Sequence, residues 1–541
     1  MEVQDVHAPL TNKIAFRYVE QDDEVAAFFD YPAIEKDKTY QMRIKELSNR
    51  QFPRESLVRY LLQYHKKFNA DEKTFENINK LLNPKSVVVI GGQQAGLLTG
   101  PLYTIHKIIS ILKFAHKQEK LLKVPVLPVF WVAGEDHDFA EINHAFVLHE
   151  GRIEKRPIKQ KNYHKLPASS LSLDKQLAKS WINEIVSTFE ETVHTKNLLE
   201  RLNEDINNSD TYVDFFINLV FTLFKGHGLI VVDSGDQGFR KIGASFTETM
   251  IHQNGELAEN VLKKQLTVKE LGYGEPIEMN ENNAHLFYLQ NGERVLLERD
   301  NGLFVGKNKE CQFEESELLA IIKEKPELVS NNVVTRPLMQ EYVFPTLAFI
   351  SGPGEIAYWA VLKEAFHLFG FKVPPVIPRL MMSIIDRRAD KYLRELGLNI
   401  EQMIQHGCEK EKESWLKKQP PYPIDQAVEE VLAGVMKAHQ PLKELAKEID
   451  ANLTEIAEKN ALMIQSQIHF LKKKMEKKLR FKHKVELDKF DYLNYSLKPL
   501  GAPQERVWNI FCYLNLYGYH FIEELIALDY EWNHQHKLIF V

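Results

Sequence analysis

The sequence predicts an α/β protein that combines a parallel β-sheet core with two insertions and a C-terminal α-helical coiled-coil domain. Three observations lead to this fold class. Short apolar runs that end in glycine or aspartate recur between residues 86 and 354, as expected for strands buried on both faces of a parallel sheet. The first two runs are separated by a stretch with helical periodicity, and residues 424–484 carry apolar side chains at steps of three and four.

The first sheet elements follow a largely helical N-terminal segment of about 85 residues. A strand is predicted at 86–92 (SVVVIGG), a helix at 103–116 and a second strand at 124–134. Strand, helix and strand in this order form a βαβ unit with a right-handed crossover. This unit predicts a Rossmann-like sheet.

Two later runs, 228–234 (GLIVVDS) and 346–354 (TLAFISGPG), are predicted to extend the same sheet. The segments between the core strands, approximately 147–225 and 239–335, are mixed in character and are predicted to be insertions. The second insertion contains a hairpin pattern at 284–304, with turn signals at its two Asn-Gly pairs.

The C-terminal part of the chain has a different pattern. Residues 386–489 are predicted to form a helical domain, in which the apolar repeat indicates a long amphipathic hairpin or coiled coil, and the ordinary role of such an element is dimerisation. The preceding core domain then spans 1–385 with its insertions. The aromatic-rich tail, 490–541, is expected to pack back onto this core.

Composition favours small-molecule partners. The 541 residues are 44% hydrophobic and 27% charged, and the net charge of −6 gives no electrostatic reason to expect nucleic acid or an anionic membrane. The three cysteines are dispersed, which fits a reducing compartment. No secretory signal pattern is present, and the most apolar stretch, 124–133, is too short to span a bilayer. We therefore expect a cytoplasmic protein.

Ligands of open α/β sheets bind beyond the carboxyl ends of the strands, so the strand ends carry the candidate site. The first strand end, 91–107, is rich in glycine and contains neither a GxGxxG fingerprint nor a P-loop. Its candidate side chains are Gln93, Gln94, Thr99, Tyr103, His106 and Lys107. The alternative is a glycine-rich turn with a surface histidine and lysine.

The second strand end carries four consecutive ionisable residues, Glu135, Asp136, His137 and Asp138, followed by Asn143 and His144. Charges next to a buried strand must be paired or solvated, so such a cluster is costly unless it is used. General base work or the binding of a substrate ammonium would use it. Metal ligation is a weaker alternative, because adjacent residues in an extended segment point in opposite directions, and a solvated acidic turn is the third.

Further candidates lie on the same predicted rim. They are Asp233 at the end of the third strand, Arg336, which suits a carboxylate or phosphate, and the residues of a second glycine turn, Glu355, Tyr358 and Trp359. A structural salt bridge and aromatic packing are the alternatives. After the basic stretch 472–484, Tyr492, Arg506 and Trp508 combine aromatic rings with a cation, which suits a nucleotide.

Four long motifs, in order along the chain, resemble the bacillithiol-biosynthesis cysteine ligase family. They are GGQQAGLLTGPLYTIHK (91–107), LPVFWVAGEDHDFAEINH (127–144), RPLMQEYVFPTLAFISGPGEIAYW (336–359) and GAPQERVWNIFCYLNLYG (501–518). The resemblance implies a Rossmann-like core related to class I aminoacyl-tRNA synthetases, two connecting-peptide insertions and a coiled coil that forms a homodimer.

The resemblance also implies a reaction, in which the carboxyl group of L-cysteine is joined to the amine of glucosaminyl malate. A carboxylate must be activated before an amine attacks it, which makes ATP or ADP the expected nucleotide, and no metal is expected. His106 matches only the last position of the HIGH-type signature of the class I relatives. Ser383 and Asp386 lie where a KMSKS-like motif would be sought, but no lysine accompanies them.

These expectations assign catalytic roles to His106, Lys107, Asp136 and His137. His106 and Lys107 are expected near the activated carboxyl group. Asp136 and His137 are expected to serve as the base or to bind the ammonium group. Arg336 is expected to bind a malate carboxylate. Two other functions remain open from the residues alone: a metal-dependent hydrolase that uses residues 135–138 and His144, and a non-enzymatic dimeric scaffold.

Overall fold

A computed structural model describes residues 1–32, 38–68, 70–161, 165–419 and 422–541. These residues form two compact units, of which the first comprises Met1–Ile384 with Gln504–Val541 and the second comprises Ile385–Pro503. The division differs from the predicted boundary at residue 490, because one helix runs from Lys484 to Leu497 and the chain returns to the first unit only at Gln504.

The strands are β1 (Glu2–Val6), β2 (Val87–Gln93), β3 (Val126–Val132), β4 (His144–His149), β5 (Arg152–Pro157), β6 (Ile230–Asp233), β7 (Asn283–Gln290), β8 (Glu293–Asp300), β9 (Leu303–Gly306), β10 (Gln312–Phe313), β11 (Val329–Asn331), β12 (Thr346–Ser351), β13 (Val376–Pro378), β14 (Met382–Ile385) and β15 (His536–Phe540).

The helices of the first unit are α1 (Lys13–Val19), α2 (Asp23–Ala26), α3 (Thr39–Ser48), α4 (Arg54–His65), α5 (Glu72–Lys80), α6 (Tyr103–Leu122), α7 (Phe139–Ile142), α8 (Lys175–Val186), α9 (Thr195–Asn207), α10 (Tyr212–Leu223), α11 (Gln237–His252), α12 (Asn254–Glu270), α13 (Glu315–Glu324), α14 (Thr335–Val343), α15 (Pro353–Trp359), α16 (Lys363–Leu368), α23 (Ile510–Tyr517) and α24 (His520–Ala527). Those of the second unit are α17 (Arg387–Leu396), α18 (Ile400–His406), α19 (Glu409–Lys417), α20 (Ile424–Ile449), α21 (Leu453–Lys482) and α22 (Lys484–Leu497).

The central sheet is parallel throughout, with the strand order β13-β12-β2-β3-β6. The four predicted core strands are all present, and β13 is an addition that the sequence did not predict. Their β-branched and aromatic side chains are buried on both faces, as a parallel sheet covered by helices requires. The predicted α/β class with a Rossmann-like sheet is therefore confirmed.

This strand order places a topological switch point between β2 and β12. If the five strands are numbered in their order along the chain, their order in the sheet from β6 to β13 is 3-2-1-4-5. The connections that leave β2 and β12 therefore run toward opposite edges of the sheet. Helix α6 follows β2 and helix α15 follows β12. Loops therefore diverge at the carboxyl ends of these two strands, which opens a crevice where ligands of such sheets bind.

The second insertion contains an antiparallel sheet with the order β10-β9-β8-β7-β11, together with helices α11, α12 and α13. Its hairpin turns have both central residues at positive φ, 53° and 85° at Asn291-Gly292 and 48° and 85° at Asn301-Gly302. This is the type I′ geometry that the Asn-Gly pairs favour. The predicted hairpin at 284–304 is confirmed.

The chain ends join in one small sheet, because β15 lies between β1 and β14. Lys537 on β15 is buried, and its ammonium donates to Asp5 on β1 at 2.8 Å. The tail from Gln504 thus forms part of the first unit.

The second unit is helical. Helices α20 and α21 pack side by side as the predicted long hairpin, joined at residues 450–452. Several apolar side chains of the repeat are exposed in the single chain, among them Leu442, Leu445, Ile449, Ile456 and Leu471. Among the described residues, no helix combines the length and the apolar character needed to cross a bilayer.

Candidate functional site

A cavity of about 330 Å³ opens at the switch point between β2 and β12. Its walls come from both strand ends, from the segment after β3, from α14 and from the tail. The lining residues are Gly92, Gln93, Gln94, Tyr103, Lys107, Ala133, Asp136, Glu141, Arg336, Gly352, Pro353, Gly354, Glu355, Tyr358, Arg379 and Arg506. The structure thus brings together predicted candidates from four separate motifs.

Lys107 connects the two strand ends. Its ammonium donates to the Gly92 carbonyl at 2.6 Å, to Oε1 of Gln93 at 3.2 Å and to Oε2 of Glu355 at 2.5 Å. The same Glu355 oxygen accepts from the Gly352 N–H at 2.6 Å, so it also closes the N-terminus of α15. Burial lowers the pKa of Lys107, while Glu355 opposes this shift. Lys107 is therefore a fixed donor at the floor of the cavity.

Arg336 projects from α14 beside Tyr358. Its Nη2 donates to the Tyr358 hydroxyl at 2.6 Å, and burial raises the pKa of that hydroxyl. Both side chains line the cavity, with Arg379 and Arg506 as further cations. This wall is suited to a carboxylate or a phosphate.

Acidic side chains also line the cavity, among them Asp136. Its Oδ2 accepts from Nε2 of Gln94 at 2.7 Å, and the same amide nitrogen donates to Glu141 at 2.8 Å. Burial would raise the pKa of Asp136, but the Gln94 amide, Arg294 and the His137 N–H together hold it below its usual value. Asp136 is therefore ionised at neutral pH and is suited to an ammonium ligand. In contrast, burial and the neighbouring carboxylates raise the pKa of Glu141.

His137 points to the other side of this wall, toward the second insertion. Nη1 of Arg294 lies 3.5 Å from its Nδ1 and 3.7 Å from Oδ1 of Asp136. Burial and then the charge of Arg294 lower the pKa of His137, so the imidazole is neutral at pH 7. A neutral imidazole beside an ionised carboxylate is able to accept a proton.

Glu135 connects the core to the second insertion. It is buried, and its Oε2 accepts from the Asn331 N–H on β11 at 3.2 Å and lies 4.0 Å from Arg240. Burial raises its pKa against the influence of nearby arginines. Glu135 thus links the core to the second insertion and does not line the cavity.

His106 lies behind the cavity wall, which differs from its predicted place near the reacting carboxyl. It is buried, and its Nδ1 lies 2.9 Å from Oε2 of Glu505. Glu505 in turn accepts two hydrogen bonds from Arg379, at 2.7 and 2.5 Å. The helical period of α6 turns His106 into the core while Lys107 faces the cavity, so His106 acts on the site only through Glu505 and Arg379.

Other predicted site residues have local structural roles. Asp138 is the N-cap of α7 and Asn143 its C-cap, while His144 begins β4 and meets Phe146 edge to face, with 5.4 Å between the ring centres. Burial lowers the pKa of His144 to about 4.

Three more candidates are buried. Asp233 accepts from Ser169 and from the Gly235 N–H, both at 2.8 Å, and burial raises its pKa to about 7. Thr99 is fully buried in the loop before α6, and Trp359 stacks on Phe349 in the core at 4.3 Å. Trp359 therefore has the role that the alternative interpretation gave it, which is aromatic packing in the core.

The five predicted nucleotide residues divide between the two units, with three in the first and two in the second. Arg506 lines the strand-end cavity, and the Trp508 carbonyl accepts from the Leu102 N–H at 2.8 Å. Ser383 is buried against His536 at 2.9 Å in the first unit. In the second unit, Asp386 caps α17 and accepts from the Tyr492 hydroxyl at 2.8 Å.

Sequence reasoning missed Arg294, Arg379 and Glu505. Arg379 directly follows β13, so the strand-end rule would have found it if this three-residue strand had been predicted. Glu505 and Arg294 carry no local signal, because their partners lie far away in the sequence.

The side chains proposed as metal ligands do not converge on one point. Asp136, His137 and Glu135 point to different partners, and within the described ranges no group of three or more histidine, cysteine, aspartate or glutamate side chains is arranged to hold an ion.

Comparison with known proteins gives consistent matches over the whole chain. Residues 1–380 match the family described as "Bacillithiol biosynthesis BshC, N-terminal Rossmann-like domain", and residues 382–541 match "Bacillithiol biosynthesis BshC, C-terminal coiled-coil domain".

Three curated relatives are each named "Putative cysteine ligase BshC". The proteins from Geobacillus sp. (strain WCH70) and Bacillus cytotoxicus are 44% identical to this chain, and the protein from Bacillus licheniformis is 42% identical. Each comparison covers 100% of both chains.

Proposed function

The chain belongs to the BshC family of bacillithiol biosynthesis, and from this premise we propose that it is a carbon–nitrogen ligase that joins L-cysteine to the amine of glucosaminyl malate. The observation that carries the proposal is the charge distribution around the strand-end cavity. Lys107, Arg336, Arg379 and Arg506 give the lining four cations, and Asp136, Glu141 and Glu355 give it three carboxyl groups, of which Glu355 is paired with Lys107. Amide formation needs both an anion site for an activated carboxyl group and a site for an amine.

The amide-forming step makes one new covalent bond. The amine nitrogen attacks the carbonyl carbon of the activated cysteine, the C–N bond forms, and the bond to the activating group breaks with its electron pair on the departing oxygen. Starting from the ammonium form that Asp136 holds, the nitrogen loses two protons, one before it attacks and one after the C–N bond forms. His137 accepts the first proton, since its lowered pKa keeps the imidazole neutral at pH 7, and the second is released to water.

We also propose ATP as the activating substrate, since it supplies the leaving group that an unactivated carboxylate lacks. The side chains fit an anion of this kind, because Arg379 and Arg506 add two guanidinium groups to the wall that contains Lys107. At the N-terminus of α15, Glu355 already accepts from the Gly352 N–H, so this donor is not available to a phosphate. We propose that the side-chain cations carry phosphate recognition.

The experiment is product formation from purified components. The chain is incubated with L-cysteine and glucosaminyl malate, with and without ATP, and the amide product is quantified by mass spectrometry. Asp136→Asn should lower the rate at least a hundredfold, since it removes the charge that holds the amine. Glu270→Gln makes the same carboxylate-to-amide change at the exposed end of α12 and serves as the matched control. Full activity in Asp136→Asn would refute the assigned role, and an ATP-independent rate would refute the proposed activation.

We further propose that the protein forms a homodimer through α20 and α21 in the cytoplasm. The exposed apolar side chains of this hairpin support a self-association surface. Cys311, Cys408 and Cys512 are thiols in the described part of the chain, which agrees with a reducing compartment.

A further inference from the structure

A second cavity, of about 690 Å³, lies against the sheet of the second insertion. Its floor is formed by β7 and β8, and its rim by the loop after β9 and by Lys165. His137 lines it from the core side. The proposed reaction assigns no ligand to this space.

The lining combines both signs of charge with amides. Lys165, Arg294 and Lys307 provide cations. Three glutamates and three amide side chains add further polar groups, the amides being Gln290, Asn291 and Asn308, and the apolar members are Phe287, Val295 and Leu296. A surface of amides and carboxylates offers donors and acceptors to hydroxyl groups, and the cations suit carboxylates. Such a lining fits a polyhydroxylated ligand that carries carboxylates.

Arg294 is the most firmly held side chain of this cavity. It is buried with a side-chain exposure of 5%, and its guanidinium lies 3.8 Å from the centre of the Phe287 ring. Nε donates to Ser330 at 3.2 Å, and Nη2 donates to the Asn331 carbonyl. Nη1 is directed toward His137 and Asp136. The cation is thus fixed at the boundary between the two cavities.

The two cavities meet at consecutive residues, because Asp136 lines the first and His137 lines the second. Their sizes also differ. Ligand pockets commonly measure roughly 300–1,000 Å³, so the first cavity, at about 330 Å³, is at the small end of this range. The second cavity, at about 690 Å³, offers about twice this space for the amino-sugar acceptor.

We propose that the second cavity binds the amino-sugar dicarboxylate, with its amine directed past His137 toward Asp136 and the first cavity. This inference rests on the proposed function. Gln290, Asn291 and Asn308 bind sugar hydroxyls, and Lys307 and Arg294 bind the malate carboxylates. The core therefore holds the activated amino acid, and the second insertion selects the acceptor.

The test is steady-state kinetics with each substrate varied separately. Lys307→Ala and Gln290→Ala remove groups that line the second cavity without touching the first. Each should raise the KM for glucosaminyl malate about tenfold, because one charged or polar contact is lost, while the KM for cysteine and kcat stay within about twofold. Lys309→Ala removes an exposed lysine two residues from Lys307 and is the matched control.

Calorimetric titration of the wild type and Lys307→Ala with glucosaminyl malate alone separates this inference from the proposed function. Weaker binding by the variant supports the cavity assignment whether or not product forms. Unchanged binding and an unchanged KM in both variants, in a protein that makes product, overturn the assignment and leave the ligase proposal in place. A wild type that neither binds this compound nor makes product overturns both.

Discussion

Replacing Glu505 by glutamine should destabilise the first unit and weaken the cationic side of the strand-end cavity. Glu505 is buried and accepts two hydrogen bonds from Arg379 and one from His106. Glutamine keeps the shape of the side chain but removes the charge. The buried guanidinium of Arg379 then loses its counterion.

The magnitude follows from the burial of both partners, whose side chains are 6% and 4% exposed. Removing one member of a buried ion pair costs roughly 3–5 kcal/mol in the free energy of unfolding. Since the entropy of unfolding grows with chain length, this loss corresponds to a fall of roughly 3–5 °C in the midpoint for a unit of this size. Differential scanning calorimetry measures it.

A pH series isolates the charge. The Arg379 guanidinium and the His106 imidazole hold the pKa of Glu505 far below its usual value, although burial opposes this. A depressed carboxyl pKa contributes stability that is complete above the unfolded pKa, about 4.3, and is lost as the pH falls below it. The wild type should therefore lose stability below about pH 4.3 more steeply than Glu505→Gln.

Glu523→Gln, on α24 of the same tail, is the matched control. Its carboxylate pairs with His227 on the surface and is 57% exposed, so its removal should cost less than about 1 kcal/mol. The kcat/KM of Glu505→Gln should fall about tenfold or more as Arg379 loses its fixed position. A variant that unfolds at the control's temperature and retains wild-type kcat/KM would refute this account of the tail.

Two further predictions concern the proposed base and the proposed dimer. The kcat/KM of the wild type should decline only below about pH 6.5, because burial and Arg294 lower the pKa of His137. His137→Gln should lower kcat by roughly a hundredfold and abolish this decline. A decline of the wild-type kcat/KM that begins above pH 7 would contradict the assignment. Leu445→Asp combined with Ile456→Asp should halve the mass found by light scattering, since both side chains are more than half exposed in the single chain. Lys447→Asp is the control and should leave the mass unchanged. A monomeric wild type would contradict the proposed dimer.

The sequence predicted the elements whose signals are local. The run from Val87 to Gly92 is β-branched and ends in glycines, which is the pattern of a doubly buried strand, and the two Asn-Gly pairs specified their turns. The strand ends then had to face the crevice, because a parallel sheet brings its carboxyl ends to one edge. Lys107 and Asp136 were found in this way.

The remaining contacts depend on packing between distant segments. Helix α6 is buried on most of its surface from Thr104 to Leu112, so its sequence shows no polar stripe that would distinguish the cavity side from the core side. His106 and Lys107 were therefore equivalent candidates. The link between Glu505 and Arg379 joins residues 126 apart in the chain and has no periodic signature.

The pairing of β15 with β1 has a consequence for biosynthesis. Residues 536–540 form the middle strand of a sheet whose outer strand, Glu2–Val6, is translated long before them. Glu505, which holds Arg379, is likewise translated after the entire helical unit. A nascent chain must therefore keep Glu2–Val6 unpaired until β15 has been made, and a chain that stops before residue 504 has a cationic pocket without its supporting carboxylate. The strands of this sheet are thus joined only after the helical unit has been synthesised.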